Sequence, residues 1–169
     1  MTKRELLQRR LVNLGIASGY PVPGKPGQLA APEDPVRALP GIVSRLGAMQ
    51  AQDYPGTVWA MGLRLPGSKL ADIEKVVESA TIVRTWPMRG TLHFVAASDL
   101  RWMLGLLAPK VIAGTKSRQQ NLELDADQFS RSQETMRRVL SGGQLLGRDA
   151  LLAAVEADGI STAGGRGYH

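Results

Sequence analysis

The sequence predicts a mainly α-helical protein carrying one small β-hairpin. Three observations predict it. Apolar residues recur at steps of three and four along most of the chain, the mark of amphipathic helices. Two short β-branched and aromatic runs, residues 82–86 and 91–95, flank residues 87–90 and read as a hairpin. Hydrophobic residues make up 43% of 169 positions, enough for a core, and the length suggests one domain and part of a second.

Taken in order, residues 3–14 place Leu7, Leu11 and Leu14 on one helical stripe, with Arg9 and Arg10 off it. Gly15 and Gly19 weaken its end. Residues 19–35 hold five prolines and read as a long loop. Lys25 is its only basic residue, which makes it a poor phosphate-binding arm. Pro40 suits a first helical turn. Ile42, Val43, Leu46 and Met49 then predict a helix over residues 40–49. Pro55 disfavours helical geometry at Tyr54, so that helix is expected to stop nearby. Val58, Trp59, Met61, Leu63 and Leu65 form a second apolar segment, readable as helix or strand. Leu70, Ile73, Val76 and Val77 predict a further helix.

After the hairpin, Ser98 and Asp99 are expected to cap a helix through Met103 and Leu107. Pro109 allows a new helical start carrying Lys110, Lys116 and Arg118. Asp125 and Gln128 have capping-box spacing ahead of a helix ended by Gly142 and Gly143. Leu151, Leu152 and Val155 describe a last helix, closed by Gly159. Residues 161–169, ending in His169, offer little to pack. Trp59, Trp86 and Trp102 are assigned to the core. Several helices followed by a hairpin is the order of a winged helix, a helix-turn-helix variant; a generic small α+β domain is the alternative. The expected organisation is a first winged-helix domain over residues 1–97, connecting helices over 98–141, and the truncated start of a second winged-helix domain over 142–169.

The chain carries 21 Lys+Arg against 15 Asp+Glu, a net charge of +6 and a pI of about 10.1. This balance favours a polyanionic partner, with nucleic acid the first candidate. Aromatic residues at 5% argue against a base-stacking surface. The absence of cysteine removes disulfides and thiolate chemistry, and with one internal histidine it argues against a zinc site. No metal and no cofactor is expected. The N-terminus is charged rather than apolar, and no run approaches the roughly 18 apolar residues of a membrane span. A cytoplasmic protein that binds double-stranded DNA, with no membrane association and no obligate protein partner, is the expectation.

The candidate site lies in Gln50-Ala51-Gln52-Asp53-Tyr54-Pro55. In an extended segment, positions i and i+2 share a face, so the two carboxamides converge. Each offers one acceptor oxygen and two donor hydrogens, and a pair can hold a water without adding charge. The plain alternative is that both merely decorate a helix end. Arg84 and Arg89 lie in or beside the wing and are candidates for phosphate or minor-groove contact. His93 lies in the same hairpin among apolar neighbours; a structural role suits it, and it is grouped with the DNA-facing wing.

The stretches Arg45-Leu46-Gly47-Ala48-Met49-Gln50-Ala51-Gln52-Asp53 and Val83-Arg84-Thr85-Trp86-Pro87-Met88-Arg89-Gly90-Thr91-Leu92-His93 resemble winged-helix DNA glycosylases of the AlkZ/YcaQ type. The resemblance covers most of residues 36–169. It implies tandem winged-helix domains and a C-terminal β-barrel in a longer protein. It also implies removal of alkylated bases such as N7-alkylguanine and, in some members, unhooking of crosslinks. Gln50 and Gln52 match the family's catalytic pair; one branch has Asp at the second position. Their implied role is to position a water against the deoxyribose C1′ and to stabilise the developing oxocarbenium ion. No catalytic role is carried over to Arg89 or His93. The loop at 19–35 is longer than the family needs. Residues 1–169 alone are expected to be weak or inactive.

The chemistry suits neutral amides. An N7-alkylated guanine is already cationic, so it leaves without a strong acid, and positioning with electrostatics can suffice. Ordinary glycosidases use a carboxylate pair instead; here Asp53 is the nearest carboxylate and a candidate base. A monofunctional DNA glycosylase and a non-catalytic winged-helix DNA-binding or regulatory protein both predict salt-sensitive duplex binding, and only the first predicts base release. A protein-interaction module is the third reading.

Overall fold

The computed structural model describes residues 1–16, 20–21, 29–30, 34–88 and 90–168. Arg89, His169 and most of the predicted loop at 19–35 lie outside the described residues. The chain divides into two compact units, Met1–Val111 and Ile112–His169.

The first unit opens with α1 (Lys3–Asn13), started by a capping box in which Thr2 accepts from the Glu5 N–H and Glu5 accepts from the Thr2 N–H. Inside the predicted loop, β1 (Tyr20–Pro21) and β2 (Leu29–Ala30) pair antiparallel. The next helix, α2, spans Pro35–Leu46 rather than residues 40–49. Asp34 accepts from the Val36 and Arg37 N–H groups, and Pro35 occupies the first turn. The start signal assigned to Pro40 therefore belongs to Asp34 and Pro35. Pro40 lies inside the helix, where its missing N–H forfeits one ladder bond. Leu39, Ile42 and Val43 on the buried face offset that loss. The helix ends at Gly47, whose φ of +76° is accessible to glycine at little cost.

Met49 is consequently not helical. Met49–Gln50 forms β3, a third strand paired with β5. Pro55 does not stop an arriving helix; it sits in the first turn of a new one, α3 (Tyr54–Arg64), which settles the open reading of that segment as helical. The predicted helix at 70–77 is α4 (Leu70–Glu78). The hairpin forms as β4 (Ile82–Met88) and β5 (Thr91–Ala96), giving the order β3-β5-β4, all antiparallel. Register breaks between Thr85 and Met88, so Pro87, which has no N–H to give the ladder, is accommodated at the irregularity. Helices followed by this sheet make the unit winged-helix-like. Phe94, Leu39, Met61, Leu65 and Ile82 are fully buried and form its core with Val43 and Val76.

After the sheet, α5 (Ala97–Gly114) runs through Pro109 without a break, against the expected new start there. Its N-terminus also lies ahead of Ser98 and Asp99. Asp99 instead meets the Ser44 hydroxyl and the Trp102 indole N–H, which hold its carboxyl below the ordinary range. The assignment of all three tryptophans to the core is corrected: Trp59, Trp86 and Trp102 are 68%, 60% and 55% exposed. Each lies on the outer side of an element whose inner side is filled by smaller side chains such as Val58, Met61 and Met103.

The second unit holds α6 (Lys116–Asn121), α7 (Ala126–Val139), α8 (Arg148–Ala157) and a 3-10 turn at Ala163–Tyr168. The capping box at Asp125 and Gln128 forms as expected. The last residues pack more than their glycines suggest. Arg166 donates to the Leu122 carbonyl and pairs with Glu123, and Arg148 stacks over Tyr168 at 4.2 Å. Asp158 accepts from the Thr135 hydroxyl and the Arg138 guanidinium, which hold its carboxyl below the ordinary range.

Candidate active site

From β3 the chain leaves the core through Ala51 and bends at Gln52 and Asp53, and burial alternates over residues 49–52. Met49 and Ala51 are buried, whereas Gln50, Gln52 and Asp53 are exposed. At the 3.2–3.4 Å rise of extended chain, the two glutamine Cα atoms stand about 6.5 Å apart. Gln50, Gln52 and Asp53 line one open groove of about 640 Å³ with Gly56, Thr57, Ala60 and Arg64 of α3 and Leu14 beyond α1. The two glutamines are thus brought to one groove, by strand geometry and not by a frayed helix.

The backbone of this segment is held by side chains. Ala51 donates to the Leu92 carbonyl at 2.8 Å, as a ladder rung would. The return bond is missing. Leu92 N–H donates instead to Gln52 Oε1 at 2.9 Å, and the vacated Ala51 carbonyl accepts Arg84 Nε at 3.0 Å and a terminal nitrogen at 2.8 Å. Thr57, only 6% exposed, directs its hydroxyl at the Gln50 carbonyl (2.6 Å) and the Asp53 carbonyl (2.7 Å). Asp53 caps α3 by accepting from Gly56 N–H at 3.2 Å. Its other carboxylate oxygen lies against Gly56, where an added Cβ would collide with it.

These bonds fix an amide orientation. A backbone N–H faces the Gln52 side chain, so the atom it meets must be the oxygen, and the amino hydrogens turn outward as donors. The exposed Gln50 carboxamide is opposite His93 in the ladder. His93 is 4% exposed, and its Nδ1 carries a hydrogen to the Thr91 carbonyl at 2.8 Å. Arg84 lies 5.6 Å over the Tyr54 ring, and Tyr54 meets Phe94 at 5.7 Å between ring centroids.

The candidate residues therefore separate. Gln50 and Gln52 face the groove; Arg84 is exposed yet bonded to their backbone; His93 is inside the sheet. Thr57, Gly56 and Arg64 were not singled out from sequence. Their signal was there: Asp53 to Gly56 is cap spacing, and Thr57, Ala60 and Arg64 follow at helical steps. The charge is also unevenly placed. Residues 112–169 hold seven Lys+Arg and seven Asp+Glu, so the whole positive excess of the chain falls in residues 1–111. Among the described residues no group of three His, Cys, Asp or Glu could hold a metal, and no helix is long and apolar enough to cross a membrane.

The family described as DNA glycosylase AlkZ-like matches residues 43–168, three quarters of the chain. The chain belongs to the AlkZ-like DNA glycosylase family. No curated protein and no solved structure matches it. The AlkZ-like match takes in the glutamine segment, α3, the wing and the whole of the second unit up to Tyr168, and it leaves α1 outside. Membership gives a DNA-repair glycosylase role at the level of the family, with DNA as the substrate class.

Proposed function

We propose that this protein hydrolyses the N-glycosidic bond of alkylated bases such as N7-alkylguanine, with Gln50 and Gln52 as its catalytic pair. The observation that carries the reading is the shared groove: two exposed carboxamides, on a backbone clamped by Thr57 and Arg84, in the unit that holds the chain's positive excess. In this mechanism a water sits between Gln50 Oε1, which accepts from it, and the Gln52 amino group, which donates to it. The water oxygen attacks C1′ as the C1′–N9 bond breaks. The bonding electrons pass into the cationic purine and neutralise it, so no strong acid is needed. The proton lost from the water goes to solvent or to the free oxygen of Asp53. The amide dipoles stabilise the positive charge that develops on the sugar. Arg89 meets DNA phosphates along the wing, while Arg84, committed to the Ala51 carbonyl, and the buried His93 act by holding the wing strands beside the glutamine segment. Unhooking of crosslinks and a tandem winged-helix array belong to the same proposal.

A non-catalytic DNA-binding protein is the second reading. One observation favours it: Gln52 Oε1 already serves Leu92 N–H, a structural use. The two separate in an assay of the full-length protein on duplex DNA carrying N7-methylguanine. The glycosylase reading predicts release of the free base. Tight, salt-sensitive binding with no release above the spontaneous rate would support the binding protein and overturn the proposal.

A further inference from the structure

One cation in the groove has no ion-pair partner among the described residues, although the Asp53 carboxylate lines the same groove. Arg64 stands on the face of α3 that carries Asp53, Thr57 and Ala60, and it lines the groove that both glutamines line. Among the described residues it forms no ion pair. Its one hydrogen bond runs from a terminal nitrogen to the Ala60 carbonyl at 2.7 Å. Its Nε is buried and has no acceptor, one of two such side-chain atoms among the described residues. Burial lowers the arginine pKa and no carboxylate opposes that shift. A guanidinium keeps its proton in a protein, and the second terminal nitrogen, which is not buried and has no partner among the described residues, is the donor open to an anion from the groove. Arg64 also stands in the last turn of α3, where a cation suits the helix C-terminus, but the bond to Ala60 uses only one of its donors.

We propose that Arg64 binds a backbone phosphate of the DNA strand whose sugar is presented to Gln50 and Gln52. The spacing suits this. Arg64 lies eleven residues beyond Asp53 along the helix, about 16 Å at 1.5 Å per residue, and helical side chains lean back toward the N-terminus. A single strand advances about 3.4 Å per nucleotide, so the phosphate is a few nucleotides from the target sugar. A guanidinium presents its donors as a planar fork that matches phosphate oxygens. Arg64 thereby fixes the strand's register in the groove and carries no sequence information.

The inference rests on the DNA-binding half of the proposed function, and its test is independent of base release. Duplex binding by the full-length protein is measured from 50 to 200 mM salt for the wild type, Arg64→Gln and Arg64→Lys, with circular dichroism to establish that each is folded. Loss of one phosphate contact lowers the slope of log K against log salt by about 0.9. The expected result is that loss in Arg64→Gln, with the slope kept in Arg64→Lys, whose charge remains. An unchanged slope in Arg64→Gln overturns the proposal, as does an equal loss in both variants or an absence of duplex binding by the wild type. Inorganic phosphate at matched ionic strength separates the phosphodiester from a free anion: a thermal shift that depends on Arg64 would place a free-phosphate site here and overturn the DNA reading. Gln50→Ala with Gln52→Ala is expected to keep the slope and lose release, so either assignment can fail while the other stands.

Discussion

Arg84→Met tests the clamp on the glutamine segment. Methionine keeps the apolar stem and removes the guanidinium. Two charge-assisted bonds to the Ala51 carbonyl are lost, and that carbonyl belongs to a fully buried residue. Hydrogen bonds to charged groups contribute about 1.5–3 kcal/mol, and the exposure of the guanidinium points to the lower end of that range. Loss of the contact over Tyr54 adds about 0.5 kcal/mol. The expected destabilisation is about 2 kcal/mol, or roughly 10 °C in Tm for a unit of this size. Urea denaturation followed by far-UV circular dichroism measures it, because the three tryptophans are too exposed to report reliably on the core. The midpoint should fall at constant m. Arg84→Lys should recover less than half, since an ammonium lacks the fork that reaches the carbonyl twice. A loss below about 0.5 kcal/mol in Arg84→Met would refute the clamp and leave Arg84 free for phosphate.

Two further predictions concern the cap and the second unit. Gly56→Ala should give no net stabilisation, although an unobstructed helical Gly→Ala gains up to about 1 kcal/mol. Asp53 must rotate away from the new methyl and surrender a cap worth about 1 kcal/mol. A full gain on denaturation would contradict the packing described. Asp158 has its folded pKa held down by Thr135 first and Arg138 second, so its contribution is complete above the unfolded value near 3.9 and disappears as pH falls through the folded one. The stability difference between wild type and Asp158→Asn should therefore narrow below about pH 4 in acid titrations, and a constant difference down to pH 2 would be inconsistent with it.

Local features were readable in the sequence. The hairpin, α4, the cap at Asp125 and the glutamine pair each carry their signal within a few residues. The start of α2 is ambiguous in the sequence because Pro35 and Pro40 are equally good first-turn residues and Asp34 follows a proline-rich stretch that gives it a loop-like context. Strand β3 was hidden because two residues make no alternation, and Met49 falls three after Leu46, in step with the preceding helix. Pro109 carries the signal of a helical start, whereas α5 runs through it. The clamp was out of reach altogether. Arg84 meets Ala51 across 33 positions and Gln52 meets Leu92 across 40, and no local spacing encodes such a bond. The exposed tryptophans break the usual burial habit of their type, so the habit misled.

The claim at the centre is that Gln50 and Gln52 act together on a sugar. Single-turnover release of N7-methylguanine from duplex DNA by the full-length protein, wild type against Gln50→Ala with Gln52→Ala, tests it most directly when both are saturated with DNA. Removing groups that orient a water and stabilise transition-state charge costs about 100-fold or more in rate. The account predicts a loss of at least that size with binding retained. An unchanged release rate in the double variant would contradict it.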